Sequence, residues 1–427
     1  MTHVKWSKHI NSEVCDAVFP LSCCVITISP LGKPRIGTLT LGRSLQSLNT
    51  PCFLVYTSHG APPYTTLDNL RTINPKLTAV QLCLATLFDI LITSASNYPI
   101  SSFRKFFGLE GFLLFFTLSD PMLVLPEHFN TKKHIKINSV NGRTKISSRV
   151  YMKLVEELNP DVFCPLIDNI PLHCPKYKDK EAVNRTLMLL DDCILAMKDH
   201  PDLQSSALFG VIQGNSSIEG RRRSAYETSK RDVDGFLLEN FGSHLKRDVF
   251  RTLLSTVVVI YHELSAEKPR MISTFGIPEL VLDAVEFGID IFDGTYVPCR
   301  LVILFLQLLL NLRYPLLMAE DGNALTFYIP GHSVCRMTIS KAKHISLWDD
   351  IFLDDVNPLC PGCSCMACTD YSRSYVHHLL STHEMLAKVL LTLHNLQLYE
   401  NFFCAIRSSI KAERFSTFKE TFEKFYL

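Results

Sequence analysis

Residues 207–240, "ALFGVIQGNSSIEGRRRSAYETSKRDVDGFLLEN", hold one full structural repeat. The first eight residues are an apolar run closed by Gln-Gly, the pattern of a buried strand. The polar stretch "SIEGRRRSAYETSKR" predicts a helix, and "VDGFLLEN" predicts the next strand. The order repeats downstream: "RDVFRTLLSTVVVIYHEL" (247–264) predicts a helix, "KPRMISTFG" (268–276) a strand, "IPELVLDAVEFG" (277–288) a helix closed by Gly288, and "IDIFDG" (289–294) a strand. Upstream, "GFLLFFTLSD" (111–120) and "DVFCPLID" (161–168) predict strands, with "SSRVYMKLVEELNP" (147–160) as the helix between them. Strand-then-helix repetition implies parallel strands, and at this length the closed form is a (β/α)8 TIM barrel. An open doubly wound sheet is the alternative, but no GxGxxG follows a strand.

A barrel brings the carboxyl ends of its strands to one face. Five polar residues fall at those ends: Asp120, Asp168, Gln213, Glu239 and Asp293. Carboxylates placed there suit nucleophilic or acid/base work, although Asp also favours the turns in which strands end. Whole-chain charge adds little, since 43 Lys+Arg nearly cancel 42 Asp+Glu. Any contact with nucleic acid must therefore come from a local patch or from a partner. Arg221 to Arg223 read as a solvated helix face. The amino terminus carries no secretory pattern, so the fifteen irregularly spaced cysteines are expected as reduced thiols. The apolar run from Cys299 to Met318 is interrupted by Gln307, Asn311, Arg313 and Pro315, which favours a buried helix over a membrane span.

"CPGCSCMAC", residues 360–368, is the densest cysteine cluster in the chain. The stretch 369–406 contains neither Gly nor Pro and reads as one long helix or two joined by a tight bend, carrying His394. Thiolates at Cys363, Cys365 and Cys368 with the His394 imidazole form a donor set suited to tetrahedral Zn2+. Cys360 could replace His394, and His377, His378 and His383 lie nearer in sequence. His394 is favoured because a helix side chain can fasten the cluster to the barrel. With all four positions filled by protein, such a metal is structural. The division that follows is a barrel over 1–345, with the apolar run at 300–320 as an insertion, and a zinc-binding subdomain with C-terminal helices over 346–427.

The C-x-C-x2-C-x25-H pattern, with "GIDIFDGTYVP", "GVIQGN", "RRRSAYE", "DGFLLENFG", "RIGTLTL" and "TPCFLVYTSHG", resembles the tRNA-guanine transglycosylases. That resemblance implies a zinc-containing (β/α)8 barrel that exchanges guanine at the wobble position of certain tRNAs for a deazaguanine, which in eukaryotes is queuine. It places a nucleophile at Asp293, a proton-transferring carboxylate at Asp120, and base-pocket remnants at Asp168 and Gln213. Other parts of the family's pattern are altered. The SDSGGFQ loop becomes "SDPMLVL", GGLAVGE becomes Glu239-Asn240-Phe241-Gly242, and PTRxxRxG becomes "VPCRLVILFLQLLL". An intact zinc pattern with eroded catalytic loops is similar to the family's non-catalytic eukaryotic members. By that resemblance no catalytic residue is expected. The implied partners are tRNA and the catalytic subunit of queuine tRNA-ribosyltransferase, in a heterodimer. The implied place is the cytoplasm, with peripheral association at the mitochondrial outer membrane. An active transglycosylase using Asp293 is the alternative, and a zinc-stabilised barrel hydrolase is a third reading, although no open metal position is recognisable.

Overall fold

The protein is described from a computed structural model over residues 3–5, 24–27, 33–41, 47–97, 102–118, 130–131, 134–139, 141–170, 175–199, 201–215, 217–239, 241, 247–258, 267–273, 276–293, 315–331 and 342–426. Eight parallel strands close a barrel in chain order: β1 (Cys52–Tyr56), β2 (Ala79–Cys83), β3 (Leu113–Thr117), β4 (Val162–Phe163), β5 (Ala207–Ile212), β6 (Gly235–Leu238), β7 (Arg270–Ile272) and β8 (Ile291–Asp293). Asp293 of β8 pairs with Leu54 of β1, which completes the ring. Every strand residue of β1, β5 and β6 is buried. Burial on both faces follows from helices outside and side-chain layers inside, so these strands read as continuous apolar runs.

The crossover helices carry their own start and stop signals. They are α1 (Leu84–Asn97), α2 (Ser148–Leu158), α3 (Lys176–Asp199), α4 (Ile218–Ser229), α5 (Arg247–Val258) and α6 (Pro278–Glu286). In α2, Ser147 caps the Val150 amide, the buried side chains Tyr151, Leu154, Val155 and Leu158 share one stripe, and left-handed Asn159 ends the helix. In α6, Pro278 opens the first turn and Gly288, at φ +79°, follows the last. The Gly214 turn between β5 and α4 is tighter still. Its φ is +141°, and a Cβ there would lie 2.5 Å from the Arg221 backbone nitrogen, so only glycine lets α4 start this close to the strand.

Antiparallel strands at His3–Lys5, Cys24–Thr27, Ile36–Thr40 and Ser47–Thr50 form a separate sheet that leads into β1. Arg35, beside that sheet, bonds both oxygens of Asp290 and the carbonyl of Lys268, residues that precede β8 and β7. The amino-terminal end of the barrel is thereby tied shut.

After the barrel come α7 (Arg373–Ser381), α8 (Met385–Lys411) and α9 (Phe415–Tyr426). The stretch 369–406 is thus broken at a bend, where His383 has φ +57°. Residues 390–403 of α8 are all buried, so this helix is covered all round. Tyr399 and Phe403 pack on Phe53 of β1, Phe403 also packs on Phe292 of β8, and the Tyr399 hydroxyl donates to Gly276 O at 2.8 Å. Among the described residues no helix is long and apolar enough to cross a membrane, and positions 299–314 of the apolar run lie outside them.

Candidate metal centre and barrel mouth

The start of the short helix Met366–Asp370 and α8 bring Cys363, Cys365, Cys368 and His394 together, all four ligand atoms lying within 4.8 Å of one another. The three sulfurs are 3.7, 3.5 and 3.3 Å from His394 Nδ1. A tetrahedral Zn2+ with Zn–S about 2.3 Å and Zn–N about 2.0 Å would separate S from N by roughly 3.5 Å. The quartet fits that ion. His394 Nε2 lies 2.8 Å from Leu325 O, a carbonyl that can only accept, so Nε2 carries a proton and Nδ1 is the nitrogen turned toward the sulfurs. Leu325 itself is held by α8, since its amide donates to Asn395 Oδ1 at 2.8 Å. With the four donors alone, protons are shared among them. Hydrogen bonds from Cys365 and Cys368 hold the Cys363 thiol far below its usual range, and the bond with Cys363 pushes Cys368 up. A bound dication would replace that sharing, filling all four positions and leaving none for a catalytic water.

The other nominated ligands stay outside the quartet. Cys360 is buried and is not one of the four residues whose ligand atoms converge. His377 is buried with Nδ1 2.9 Å from Leu347 O.

At the carboxyl ends of the strands, Asp168, Gln213, Glu239 and Asp293 are all buried, while Asp120 lies outside the described residues. Asp293 closes β8 and is wholly buried. Asp168, beyond β4, is engaged on both oxygens: Asn130 Nδ2 donates to Oδ1 at 2.7 Å and Arg185 Nε to Oδ2. Gln213, just after β5, donates from its Nε2 to Ala182 O at 3.0 Å and to Thr186 Oγ1 at 2.6 Å. Thr186 Oγ1 also accepts from the Asp168 amide at 3.1 Å. Both pocket residues are therefore bound to α3. Arg185 and Thr186 were not legible as site residues, because nothing in their spacing ties a helix interior to strand ends.

Arg221 departs from the reading of 221–223 as a solvated face, which the exposed Arg222 and Arg223 fit. It is fully buried, its Nε donating to Asn215 O at 2.7 Å and its Nη1 to Glu239 O at 3.2 Å, with the guanidinium 3.7 Å from the Phe241 ring centroid. Burial lowers its pKa to about 9, with the Glu239 and Asp179 charges opposing. Burial likewise pushes the Glu239 carboxyl up to about 7, against a hydrogen bond with Ser273 and the Arg221 charge. A cleft of about 380 Å3 lined by Ser148, Met152, Asp192 and Leu195 lies between α2 and α3, in the outer helical layer.

A closed (β/α)8 barrel bearing a buried Cys3His cluster on its C-terminal helices defines a narrow class. The queuine tRNA-ribosyltransferase family model matches residues 31–300 and 309–427, and the chain belongs to that family. The gap between the matched segments, 301–308, falls inside the apolar run. The chain is 34% identical over 406 residues to queuine tRNA-ribosyltransferase accessory subunit 2 of Gallus gallus, covering 90% of this chain and 93% of that one. It is 32% identical to the Homo sapiens protein of the same name (88% and 92% covered) and 27% identical to that of Trichoplax adhaerens (94% and 96%).

Proposed function

We propose that this chain is the non-catalytic subunit of a heterodimeric queuine tRNA-ribosyltransferase, supporting exchange of guanine for queuine at the wobble position of tRNAs with GUN anticodons, those for Asp, Asn, His and Tyr. The observation that carries the reading is the engagement of Asp168 and Gln213 by α3. A purine pocket needs donors and acceptors aimed at the ligand. Here the Gln213 amide hydrogens go to Ala182 and Thr186, and the Asp168 oxygens to Asn130 and Arg185. Glu239 and Phe241 add bulk where the family's pattern has glycine and leucine, and Arg221 draws that loop inward. The names of the relatives support the same reading and supply the partner, a catalytic subunit.

In this account Cys363, Cys365, Cys368 and His394 hold one Zn2+ that stabilises the C-terminal unit and takes no part in chemistry. The chain's own residues contribute a barrel that presents tRNA and partner. Cytoplasmic residence, with peripheral association at the mitochondrial outer membrane, belongs to the same proposal and is tested by fractionating cells that express the tagged chain.

The deciding experiment is incorporation of labelled guanine or queuine into tRNA by the purified chain, by the catalytic subunit, and by both, with Asp293→Ala in parallel. The expected result is no incorporation by the chain alone, at least tenfold more with both than with the catalytic subunit alone, and indifference to Asp293→Ala. Incorporation by this chain alone that disappears in Asp293→Ala would make it an enzyme.

A further inference from the structure

Between β3 and α2 the chain makes an antiparallel hairpin, Ile135–Ser139 paired with Gly142–Ile146. Strand alternation splits it into two faces. Ile135, Ile137 and Ile146 are buried. On the opposite face Lys136 lies directly across from Lys145, and Arg143, two residues before Lys145, is diagonal to Lys136. Arg143 and Lys145 are exposed and Lys136 is half-buried. None of the three takes part in a salt bridge with another described residue. Like charges directly opposite on a sheet repel, so in the isolated chain this face stands at an electrostatic cost.

The hairpin is fixed to the functional end of the barrel. Asn130 Oδ1 accepts from the Lys136 amide at 2.8 Å, while its Nδ2 donates to Asp168 at the mouth at 2.7 Å. Asp89 of α1 holds the turn through the Asn141 amide at 3.1 Å. Three cations are thus held on a rigid two-stranded ribbon at the rim of the strands' carboxyl ends, in a chain whose total charge is only +1.

We infer that this basic face is the chain's own contact with the phosphate backbone of the tRNA bound by the heterodimer, an inference that rests on the accessory-subunit reading. Successive phosphates repel one another as the lysines do, and interleaving the two relieves both. A fixed ribbon also loses less conformational entropy on binding than lysines on a mobile loop. An anionic membrane is the less fitting occupant, because the hairpin's isoleucines all point inward and leave no apolar side chain on this face to enter a bilayer.

The test is tRNA binding by the assembled heterodimer as a function of salt, using a transcript with a GUN anticodon, for the wild type and for Lys136→Gln/Arg143→Gln/Lys145→Gln. Expected is at least tenfold weaker binding near physiological salt and a log K against log[salt] slope flatter by about 2 to 3, three contacts at roughly 0.7 to 0.9 each. Because the substitutions remove a like-charge pair on a solvent face, the melting temperature should not fall, and Lys136→Gln alone should leave it equal or higher. Unchanged affinity and slope overturn the inference and leave the accessory reading standing. Failure of the wild-type chain to join the catalytic subunit, or to strengthen its tRNA binding, overturns both. Unchanged tRNA binding with reduced binding to phosphatidylserine vesicles would reassign the face to a membrane.

Discussion

Cys365 and His394 show how much one side chain can hold in place. Each supplies a quarter of a closed donor set, and His394 also anchors α8 to Leu325. Cys365→Ser is expected to lower bound zinc from one per chain toward none, measured by elemental analysis, and to lower the melting temperature by roughly 5 to 10 °C. Retention of full metal with unchanged melting would exclude the quartet as the site. Gly214→Ala introduces a Cβ against the α4 backbone at positive φ, and should cost on the order of 3 kcal/mol in denaturant unfolding. Glu239 has a pH signature. Its folded pKa is raised above the unfolded value, to about 7, so its contribution is fully present below about 4.5 and lost as pH rises through 7. Wild-type stability should therefore decline across that window by on the order of 3 kcal/mol, and Glu239→Gln should flatten the decline.

Among the elements, α9 is held by charge as well as by packing. Wholly buried Asp283 of α6 meets Arg247 and Arg251 of α5 and Lys419 of α9, and Lys419 Nζ also reaches Glu286 at 2.5 Å. Burial raises the Asp283 and Glu286 pKa values, but their cationic partners outweigh it and both end lowered. Stability from these carboxylates is present above their unfolded values near 4 and is lost as pH falls through the folded ones. Lys419→Met leaves two cations for Asp283 and the Arg247–Glu423 pair on α9, yet removes the Lys419 ties to Asp283 and Glu286. A loss of about 2 to 4 kcal/mol, or earlier proteolytic release of the C-terminal helix, is expected. Resistance equal to wild type would mean that the Arg247–Glu423 pair and the packing of Phe422 on Phe402 suffice to dock α9.

For the whole molecule, a near-neutral chain whose mouth residues are bound inward should depend on its partner for activity and for most of its tRNA affinity. Size-exclusion chromatography with light scattering should show a one-to-one complex with the catalytic subunit, and a stable homodimer with independent exchange activity would contradict the assignment.

The periodicity of residues 207–240 was enough to reach the barrel, because alternating strand and helix patterns leave few ways to bury both faces of a parallel sheet. The cysteine spacing with His394 was enough to reach the donor set, since a metal centre needs particular side chains in number and type. The state of the mouth was decided only in three dimensions. Gln213 and Asp168 look like a half-kept pocket along the chain, but whether an amide faces a ligand or a helix depends on Ala182, Arg185 and Thr186, which approach from α3 through the fold. Arg221 is the same case: a charged triplet reads as solvated, and only the close start of α4 after β5, which glycine at 214 allows, carries that guanidinium under Phe241. Side-chain type is a local property carried by the sequence, whereas the partner that satisfies a buried polar group is a long-range one, set by how the helices pack on the barrel.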